Sequence, residues 1–442
     1  GTSGIGVRLL GAYNNSVYRN TITTNGTTAY GVDLISTTYN NNVYENNITT
    51  RGNSYSVYLT STAYKNNIYD NKISSRYYGG DSYALYLETT VYNNSIYDNV
   101  IDATGGNSCS VSLNGHGIGI YLTSTSYNNS IYSNNITSTG AVGSCGTTTG
   151  GGIGIYFQGT KYNYVYNNNI TTRGGAASIS IPGGTGIGLY LGLNAYNNSI
   201  YGNNITSSGG SGQSGNGAVG YGVYFSNASN NSLYNNRIRS VGGIVYSDFT
   251  TQGNGIGIYI NSTSYNYILM NDIGGTGAPS VYQNGNPGTG YGIYLTSTSY
   301  NNSIYSNNIT STGGTGYSSG STGGGGGSGI GVYLVSTSYN NSIYSNNITG
   351  TGGTGGWGTT TGGAGGTGYG TYFNSIVYAN SIYNNSITGK GGGGGYGQVA
   401  TGGTGGTGRA VYLTTTIYDN EIYNNYIISQ TGGGGGGGGG SG

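Results

Sequence analysis

The chain has 442 residues, of which only 5% are charged, and its formal net charge is +1. This composition excludes the strongly basic surface expected of a nucleic-acid-binding protein. No apolar run approaches the roughly 18 residues of a transmembrane helix. Gly (94 residues) and Tyr (50 residues) dominate, whereas Pro, Met and Trp are nearly absent. Such a bias makes internal repeats the first feature to look for.

A repeated unit organises the whole chain. The stretch 117–140 recurs almost letter for letter at 291–313 and 329–350, and in looser form elsewhere. Self-similarity of this length is typical of solenoid architectures, in which each unit stacks on its neighbours.

Each unit predicts three short strands. In the first strand Ile118, Ile120 and Leu122 alternate with other residues, which is the period of a half-buried strand. Two shorter strands are predicted around Ile131 and Ile136, between turns rich in Asn and Ser. Three strands with three corners make one coil of a parallel β-helix.

One apolar residue in the motif Asn-Ser-Ile-Tyr marks each coil. These markers predict an all-β, single-stranded parallel β-helix of about thirteen coils. At ~4.8 Å per coil, the rod would be on the order of 60 Å long. The markers are Val17, Val43, Ile68, Ile96, Ile131, Val165, Ile200, Leu233, Ile268, Ile304, Ile343, Ile382 and Ile422.

Two asparagine positions recur in every coil, two residues before the marker and three residues after it. A position that never varies while its neighbours do is expected to be buried at a corner, where its carboxamide bonds the backbone and the next Asn along the rod. The first series is Asn15, Asn41, Asn66, Asn94, Asn129, Asn163, Asn198, Asn231, Asn266, Asn302, Asn341, Asn380 and Asn420. The second series is Asn20, Asn46, Asn71, Asn99, Asn134, Asn168, Asn203, Asn236, Asn271, Asn307, Asn346, Asn385 and Asn425.

Tyrosines form three further columns. Repeated at strand spacing, they are expected to become stacked aromatic ribs along the outside of the rod. The columns begin with Tyr58, Tyr86 and Tyr121 after the first strand, with Tyr13, Tyr39 and Tyr64 before the asparagine corner, and with Tyr18, Tyr44 and Tyr69 after the marker.

Glycine-rich insertions follow the last strand of most coils. All fall at one corner, so they are expected to emerge on one side of the rod. Two alternatives remain open: the insertions are flexible linkers, or neighbouring insertions pack as extended glycine strands joined by backbone hydrogen bonds. They lie near 105–115, 140–151, 174–184, 209–220, 242–254, 274–290, 313–328, 350–368, 389–408 and 431–442.

The unit Gly-Ile-Tyr-Leu, turn, Asn-Asn-x-Ile-x-x-Asn-x-Ile-Thr resembles the right-handed parallel β-helix repeat of the pectin-lyase-like superfamily, in its Asn-rich form found in NosD-type and surface proteins. The resemblance covers the chain outside the glycine insertions, and it implies a right-handed helix and a single domain, 1–442. The insertions are similar in composition to those of glycine-rich phage adhesins. Because the superfamily includes lyases, hydrolases, adhesins and tail spikes, the resemblance implies little about activity.

Few residues could support catalysis or bind a metal. The nearest constellation is the column Glu45, Asp70 and Asp98 in successive coils, with Arg19 one coil earlier. Carboxylates about 5 Å apart could bind Ca²⁺ or act as an acid–base pair, but a solvated column of surface acids is the favoured interpretation. His116, the single histidine, is interpreted as a plain surface residue. We therefore expect no catalytic residue, no cofactor and no enzymatic activity.

Two cysteines, Cys109 and Cys145, lie at nearly the same offset in consecutive insertions. A disulfide between neighbouring coils is favoured over two unpaired thiols, which points to an oxidising, extracellular setting.

Asn-x-Ser/Thr sequons are numerous. A repeat rich in Asn, Ser and Thr generates sequons by composition alone, but these fall outside the two invariant series and could carry glycan without opening the core. They start at Asn14, Asn47, Asn93, Asn128, Asn135, Asn169, Asn197, Asn204, Asn227, Asn230, Asn261, Asn301, Asn308, Asn340, Asn347 and Asn384.

The favoured hypothesis is an extracellular structural or adhesive glycoprotein, a subunit of a surface filament in which β-helices stack end to end. Joining Gly442 to Gly1 would continue the repeat, so the chain is expected either to be part of a longer protein or to stack on itself. The alternative is a carbohydrate-binding or carbohydrate-processing β-helix, tail-spike-like or lyase-like, because exposed tyrosine columns suit stacking on sugar rings. Ice binding through Thr123, Thr125 and their copies is less favoured, because the Tyr121 column interrupts a flat threonine array.

Overall fold

The computed structural model describes residues 3–437 apart from 27, 53–54, 78, 107–114, 144–148, 179–180, 214–215, 249, 283 and 319. The described residues form three parallel sheets of thirteen strands each and one small sheet of three strands. Each coil contributes one strand to each large sheet, so the predicted parallel β-helix of about thirteen coils is confirmed.

The strands of sheet 1 are Ser3–Leu10, Thr28–Ile35, Tyr55–Leu59, Ser82–Leu87, Gly117–Thr123, Gly152–Gln158, Gly186–Leu191, Gly220–Ser226, Gly255–Asn261, Gly290–Thr296, Gly329–Val335, Gly368–Asn374 and Gly408–Thr414. The strands of sheet 2 are Ser16–Tyr18, Asn42–Tyr44, Asn67–Tyr69, Ser95–Tyr97, Ser130–Tyr132, Tyr164–Tyr166, Ser199–Tyr201, Ser232–Tyr234, Tyr267–Leu269, Ser303–Tyr305, Ser342–Tyr344, Ser381–Tyr383 and Glu421–Tyr423.

The strands of sheet 3 are Thr21–Asn25, Asn47–Arg51, Lys72–Arg76, Val100–Thr104, Asn135–Thr139, Asn169–Arg173, Asn204–Ser208, Arg237–Val241, Asp272–Thr276, Asn308–Thr312, Asn347–Thr351, Ser386–Lys390 and Tyr426–Gln430. The small sheet, at the corner between sheets 1 and 2, consists of Ser338–Tyr339, Val377–Tyr378 and Ile417–Tyr418.

The register places equivalent residues of successive coils above one another. Ile131, for example, pairs with Ile96 on one side and with Val165 on the other. The marker residues of the first twelve coils and most inward apolar residues of sheets 1 and 3 form one continuous core along the rod. Inward and outward positions alternate in sheets 2 and 3, as the sequence pattern predicts. In sheet 1 the predicted alternation is broken, because Ile120 and Leu122 lie in the core whereas Ile118 lies in a separate cluster with the outer tyrosines.

The two invariant asparagine series form buried ladders, as predicted. The Nδ2 of Asn134 donates to the carbonyl oxygens of Ile96 (2.9 Å) and Tyr132 (3.0 Å) and to the Oδ1 of Asn168 (3.0 Å). Its own Oδ1 accepts from the backbone N–H and the Nδ2 of Asn99. Each carboxamide therefore satisfies corner backbone groups that no sheet ladder reaches.

A stripe of very small residues lines sheet 1 where the coil is narrowest. A Cβ added at Gly119 would lie 2.5 Å from the Cγ2 of Ile136 and 2.6 Å from the carbonyl oxygen of Gly154. The close approach of sheets 1 and 3 explains why Gly recurs at this position.

The described parts of the glycine insertions are packed, which decides between the two alternatives left open by the sequence. The N–H of Gly353 donates to Gly327 (2.8 Å), that of Gly366 to Gly353 (2.8 Å) and that of Gly392 to Gly366 (2.9 Å). We call the paired stretches that run out from the rod and return to it the glycine lattice: 313–317, 323–327, 352–356, 362–366, 391–395, 402–406 and 432–436.

Three insertions begin later than their composition indicated. The third strand of the coil continues through Gly275 in Asp272–Thr276, through Gly350 in Asn347–Thr351 and through Gly389 in Ser386–Lys390. Their backbones stay in the sheet because the strand register is set by the neighbouring coils, not by the side chain at that position.

Candidate functional site

The outward tyrosines of sheet 2 form a strand column of nearly parallel rings. Neighbouring ring centroids lie 4.8–5.1 Å apart, with interplanar angles of 2–9°. The column consists of Tyr18, Tyr44, Tyr69, Tyr97, Tyr132, Tyr166, Tyr201 and Tyr234 and, beyond one interruption, Tyr305, Tyr344, Tyr383 and Tyr423.

A second, corner column stacks in the same way. Its centroids lie 5.0–5.1 Å apart, with interplanar angles of 1–12°. Each ring in both columns covers the faces of its neighbours, so only ring edges and hydroxyls meet solvent. The columns therefore do not offer the open ring faces on which sugar stacking was expected to depend. The stacked members are Tyr13, Tyr39, Tyr64, Tyr92 and Tyr127, and then Tyr300, Tyr339, Tyr378 and Tyr418.

The tyrosines of sheet 1 are more buried and less regular. In the column from Tyr58 to Tyr412, centroids lie 4.7–5.1 Å apart at angles of 21–82° for most pairs beyond Tyr86. Desolvation, with smaller effects of nearby phenols and carboxylates, raises the pKa of Tyr55 to about 12. Burial likewise raises the pKa of Tyr291 to about 12. These phenols are held neutral.

The acidic column proposed as a weak metal site is a set of turn residues. Glu45, Asp70 and Asp98 all have positive φ values, 53–55°, a conformation that favours Asp and Asn over most other residues. Glu45 Oε2 accepts a hydrogen bond from Arg19 Nε at 2.6 Å. In the described part of the chain, no group of three His, Cys, Asp or Glu residues has the arrangement of a metal site.

A buried carboxylate that the sequence did not single out lies in the second coil. Asp33 is fully buried on sheet 1, and its Oδ2 accepts from Arg8 Nε at 2.8 Å. Burial raises the pKa of Asp33, while the hydrogen bond from Arg8 lowers it. Asp33 pairs in register with Tyr58. An aspartate at a position that tyrosine occupies in later coils was therefore the sequence signal that could have identified it. Its Oδ1 has no partner among the described residues.

His116 joins successive insertions and is not a plain surface residue. Its backbone N–H donates to Asp81 Oδ1 (2.8 Å), and its Nδ1 accepts from the N–H of Gly151 (2.9 Å). The two bonds join residues of three successive coils. The predicted disulfide between Cys109 and Cys145 lies outside the described residues.

The sixteen sequon asparagines named above all lie outside the buried ladders, and none is buried. They fall into two main groups. Those in sheet 3 bond one another: Asn169 Nδ2 donates to Asn135 Oδ1 (3.0 Å), and Asn204 Nδ2 donates to Asn169 Oδ1 (2.9 Å). Those that directly precede a ladder asparagine have positive φ and make no side-chain hydrogen bond to a described residue: Asn14, Asn93, Asn128, Asn197, Asn230, Asn301 and Asn340 before the first ladder, and Asn384 before the second.

Exposed aromatic rings occur at the tips of two late insertions. Trp357 and Tyr396 occupy equivalent places, because Gly358 pairs with Gly397. Their residues are 36% and 46% exposed, and nearby Val399 is 63% exposed. Neither ring stacks on another described ring.

In the first and last described coils, some polar groups of the ladder asparagines have no hydrogen-bond partner. The same groups are paired in every coil between them. The Oδ1 atoms of Asn15 and Asn20 accept no hydrogen bond from a described residue, and the backbone N–H groups of Asn420 and Asn425 find no described acceptor. The last coil also exposes apolar side chains whose equivalents elsewhere form the core, including Leu413, Ile422 and Ile427.

Comparisons with known proteins reveal similarity of fold alone. No family model matches the chain, and no curated protein matches its sequence. A double mutant of the periplasmic alginate epimerase AlgG is 11% identical with a TM-score of 0.48, over 91% of this chain and 77% of that one. The Dettilon tailspike protein is 14% identical with a TM-score of 0.43, over 91% and 61%. DFA-IIIase from Arthrobacter chlorophenolicus A6 without its lid is 11% identical with a TM-score of 0.39, over 77% and 69%.

These solved structures are right-handed parallel β-helix proteins, in agreement with the resemblance drawn from the repeat. The prediction that the chain is not an enzyme is wrong as an inference from this fold, because enzymes are among the similar structures. The described residues include no helix that is long and apolar enough to span a membrane.

Proposed function

We propose that the chain is a structural rod that assembles end to end into a filament. The observation that carries the proposal is the complementarity of the first and last described coils. Within the rod, each asparagine ladder passes from N–H and Nδ2 donors in one coil to an Oδ1 acceptor in the next. The last coil offers such donors at Asn420 and Asn425, and the first offers such acceptors at Asn15 and Asn20.

Burial of apolar surface supports the same contact. Leu413, Ile422 and Ile427 face the open side of the last coil, where a further coil would cover them as it covers their equivalents within the rod. Apolar area removed from water stabilises such a contact by roughly 25 cal/mol per Å². Both tyrosine columns and all three sheets would continue across the junction in register, because a parallel sheet edge recruits another strand.

Electron microscopy of the 442-residue polypeptide tests this proposal. We expect fibres many times longer than the ~60 Å rod. Ile422→Lys places a charge on the stacking face and should yield dispersed short rods, whereas Thr137→Lys, on an outward position of sheet 3, should leave fibres unchanged. Monodisperse rods from the parent chain at high concentration, or fibres from Ile422→Lys, would contradict the proposal.

We further infer that the rod is extracellular and glycosylated at corner sequons. The corner asparagines project from turns and have free side chains, whereas Asn169 and Asn204 in sheet 3 use their Nδ2 atoms within an amide ladder. Glycan would make the rod more soluble, because its surface carries few charges. Mass spectrometry of the protein from its natural source would detect glycan at Asn128 and not at Asn169, whose Nδ2 donates to Asn135 Oδ1; unmodified corner sites would contradict the inference.

A second candidate function is carbohydrate binding at the insertion tips. The observation in its favour is the pair of open aromatic rings, Trp357 and Tyr396, on a tip fixed by backbone hydrogen bonds. Gly358 donates to Tyr396 (3.0 Å) and Val399 to Thr359 (2.9 Å). Aromatic faces beside neutral hydroxyl and amide groups suit an uncharged sugar.

Tryptophan fluorescence tests this candidate directly, because Trp357 is the single tryptophan of the chain. We expect neutral polysaccharides, such as a β-glucan and a mannan, to shift its emission. Tyr396→Ala should weaken retention in affinity electrophoresis at least tenfold, while Tyr69→Ala, within the strand column, should not. Unchanged emission with both polysaccharides would exclude this candidate for neutral glucans and mannans.

A further inference from the structure

We propose that the two outer tyrosine columns are sites of oxidative cross-linking, in which neighbouring coils become joined through dityrosine. The substrate class is a pair of stacked phenols on successive coils, and the oxidant is hydrogen peroxide activated by a peroxidase. The inference is independent of end-to-end assembly, because every proposed bond joins two coils of one chain.

The geometry of the strand column supports this chemistry. The rings of Tyr69 and Tyr97 lie 4.9 Å apart at 3°, and those of Tyr97 and Tyr132 lie 4.9 Å apart at 4°. Their strands are held in register by the sheet, so the same two rings remain neighbours. A radical formed on one ring therefore meets a second phenol before any other partner.

The tyrosines of the two outer columns are more accessible to the oxidant than those of sheet 1. The hydroxyls of Tyr69, Tyr97 and Tyr132 make no hydrogen bond to a described residue and lie at the solvent edge of the column. In sheet 1, by contrast, the hydroxyl of Tyr58 donates to Glu88 Oε2 (2.5 Å), and that of Tyr83 donates to Asp81 Oδ2 (3.2 Å). Several sheet 1 rings are also tilted against one another, for example by 82° between Tyr259 and Tyr294.

The reaction balances with one peroxide for each bond. Each of two phenols loses one electron to the peroxidase and one proton from its hydroxyl, giving two phenoxyl radicals. The radicals couple between ring carbons ortho to the oxygens, and the hydrogen on each coupled carbon leaves as a proton while the oxygen is reprotonated. The two electrons and two protons removed reduce hydrogen peroxide to two molecules of water.

Interruptions in the columns define where no bond can form. In the strand column, Leu269 stands between Tyr234 and Tyr305, in register with both. In the corner column, Lys161 stands between Tyr127 and Tyr196. Ser229 and Ser264 interrupt the corner column again beyond Tyr196. Cross-links should therefore occur on both sides of Leu269 in the strand column, and in the corner column only up to Tyr127 and from Tyr300 onward.

Peptide mapping of the oxidised protein tests the proposal. The purified chain is treated with peroxidase and hydrogen peroxide at low concentration, the monomer is isolated by size exclusion, and dityrosine-linked peptides are identified by mass spectrometry. We expect links such as Tyr69–Tyr97 and Tyr97–Tyr132, and their loss in Tyr97→Phe. Because each link closes a long loop in the unfolded chain, the oxidised monomer should also unfold at a higher temperature.

A gain-of-function variant removes any ambiguity from misfolding. Leu269→Tyr fills the gap in the strand column and should create new links to Tyr234 and Tyr305. Thr310→Tyr adds a tyrosine to the outward face of sheet 3, where no described ring is its neighbour in the ladder, and should create none. The proposal is overturned if Leu269→Tyr adds no link, or if dityrosine forms mainly among the sheet 1 tyrosines.

Discussion

At the scale of single residues, the buried asparagines explain how a coil can turn two of its three corners without exposing its backbone. Corner N–H and C=O groups lie outside the sheet ladders, and leaving them unpaired in the interior would cost about 1–3 kcal/mol each. A carboxamide has two donors and an acceptor on a short stem, so it can bond its own corner and the neighbouring coil together. Asn134 does so with Ile96, Tyr132 and Asn168.

Asn134→Ala should therefore destabilise the rod strongly. The change leaves the backbone N–H of Asn99 and the carbonyl oxygen of Ile96 without their partners, and we expect a loss of about 2–4 kcal/mol. Thermal unfolding followed by circular dichroism would measure it. Asn135→Ala is the matched control, because this neighbour is exposed and should alter stability by less than about 0.5 kcal/mol. Equal effects of the two changes would contradict the assigned role of the ladder.

At the scale of elements, the glycine lattice is a structure that one insertion cannot form alone. In the arm 352–356, the N–H groups of Gly352 and Gly355 donate toward the next coil, and those of Gly353 and Gly356 donate toward the previous one. Donors that point the same way are thus three residues apart, which is the period of a polyproline II helix. Such a helix has no internal hydrogen bonds, so each arm depends on arms from neighbouring coils.

Two glycine-to-alanine substitutions in the lattice should separate the effect of close packing from the effect of losing a glycine. A Cβ at Gly353 would lie 1.9 Å from the carbonyl oxygen of Gly314, whereas at Gly393 the nearest atom is 3.8 Å away. We expect Gly353→Ala to cost about 1–3 kcal/mol by overpacking and to increase amide hydrogen exchange in the adjoining arms. Gly393→Ala should leave exchange unchanged; increased exchange in both variants would mean that the arms are not packed as described.

At the scale of the whole molecule, stability comes from continuity of the core and not from charge. Only three ion pairs occur among the described residues, and two of them are substantially exposed. Surface ion pairs of this kind contribute little. The core, the asparagine ladders and the tyrosine columns instead run the length of the rod, so each coil is stabilised by its two neighbours.

Alkaline pH should weaken the rod through the sheet 1 tyrosines. Burial raises the pKa of Tyr55 and Tyr291 to about 12, from the ordinary tyrosine value of 10.0. Because the folded state holds these protons more tightly, their contribution to stability is complete below pH 10 and is lost as the pH rises from 10 through 12. Unfolding temperature should fall over this window, less so in Tyr291→Phe. A constant unfolding temperature across it would contradict the burial of these phenols.

The repeat determined the coil count, the strand alternation of sheets 2 and 3, the buried asparagine ladders and the existence of the tyrosine columns, because equal offsets in successive coils must stack at the spacing of a parallel sheet. Only the tertiary structure decided which faces of the tyrosine rings are covered and which are exposed. The rings of Tyr69 and Tyr97 cover each other's faces, whereas exposed rings that stack on no other described ring lie elsewhere, among them Trp357 and Tyr396, where composition gave no signal. It also decided the bonding of Gly353 and the burial of Asp33, since both depend on atoms of neighbouring coils that lie many residues away along the chain.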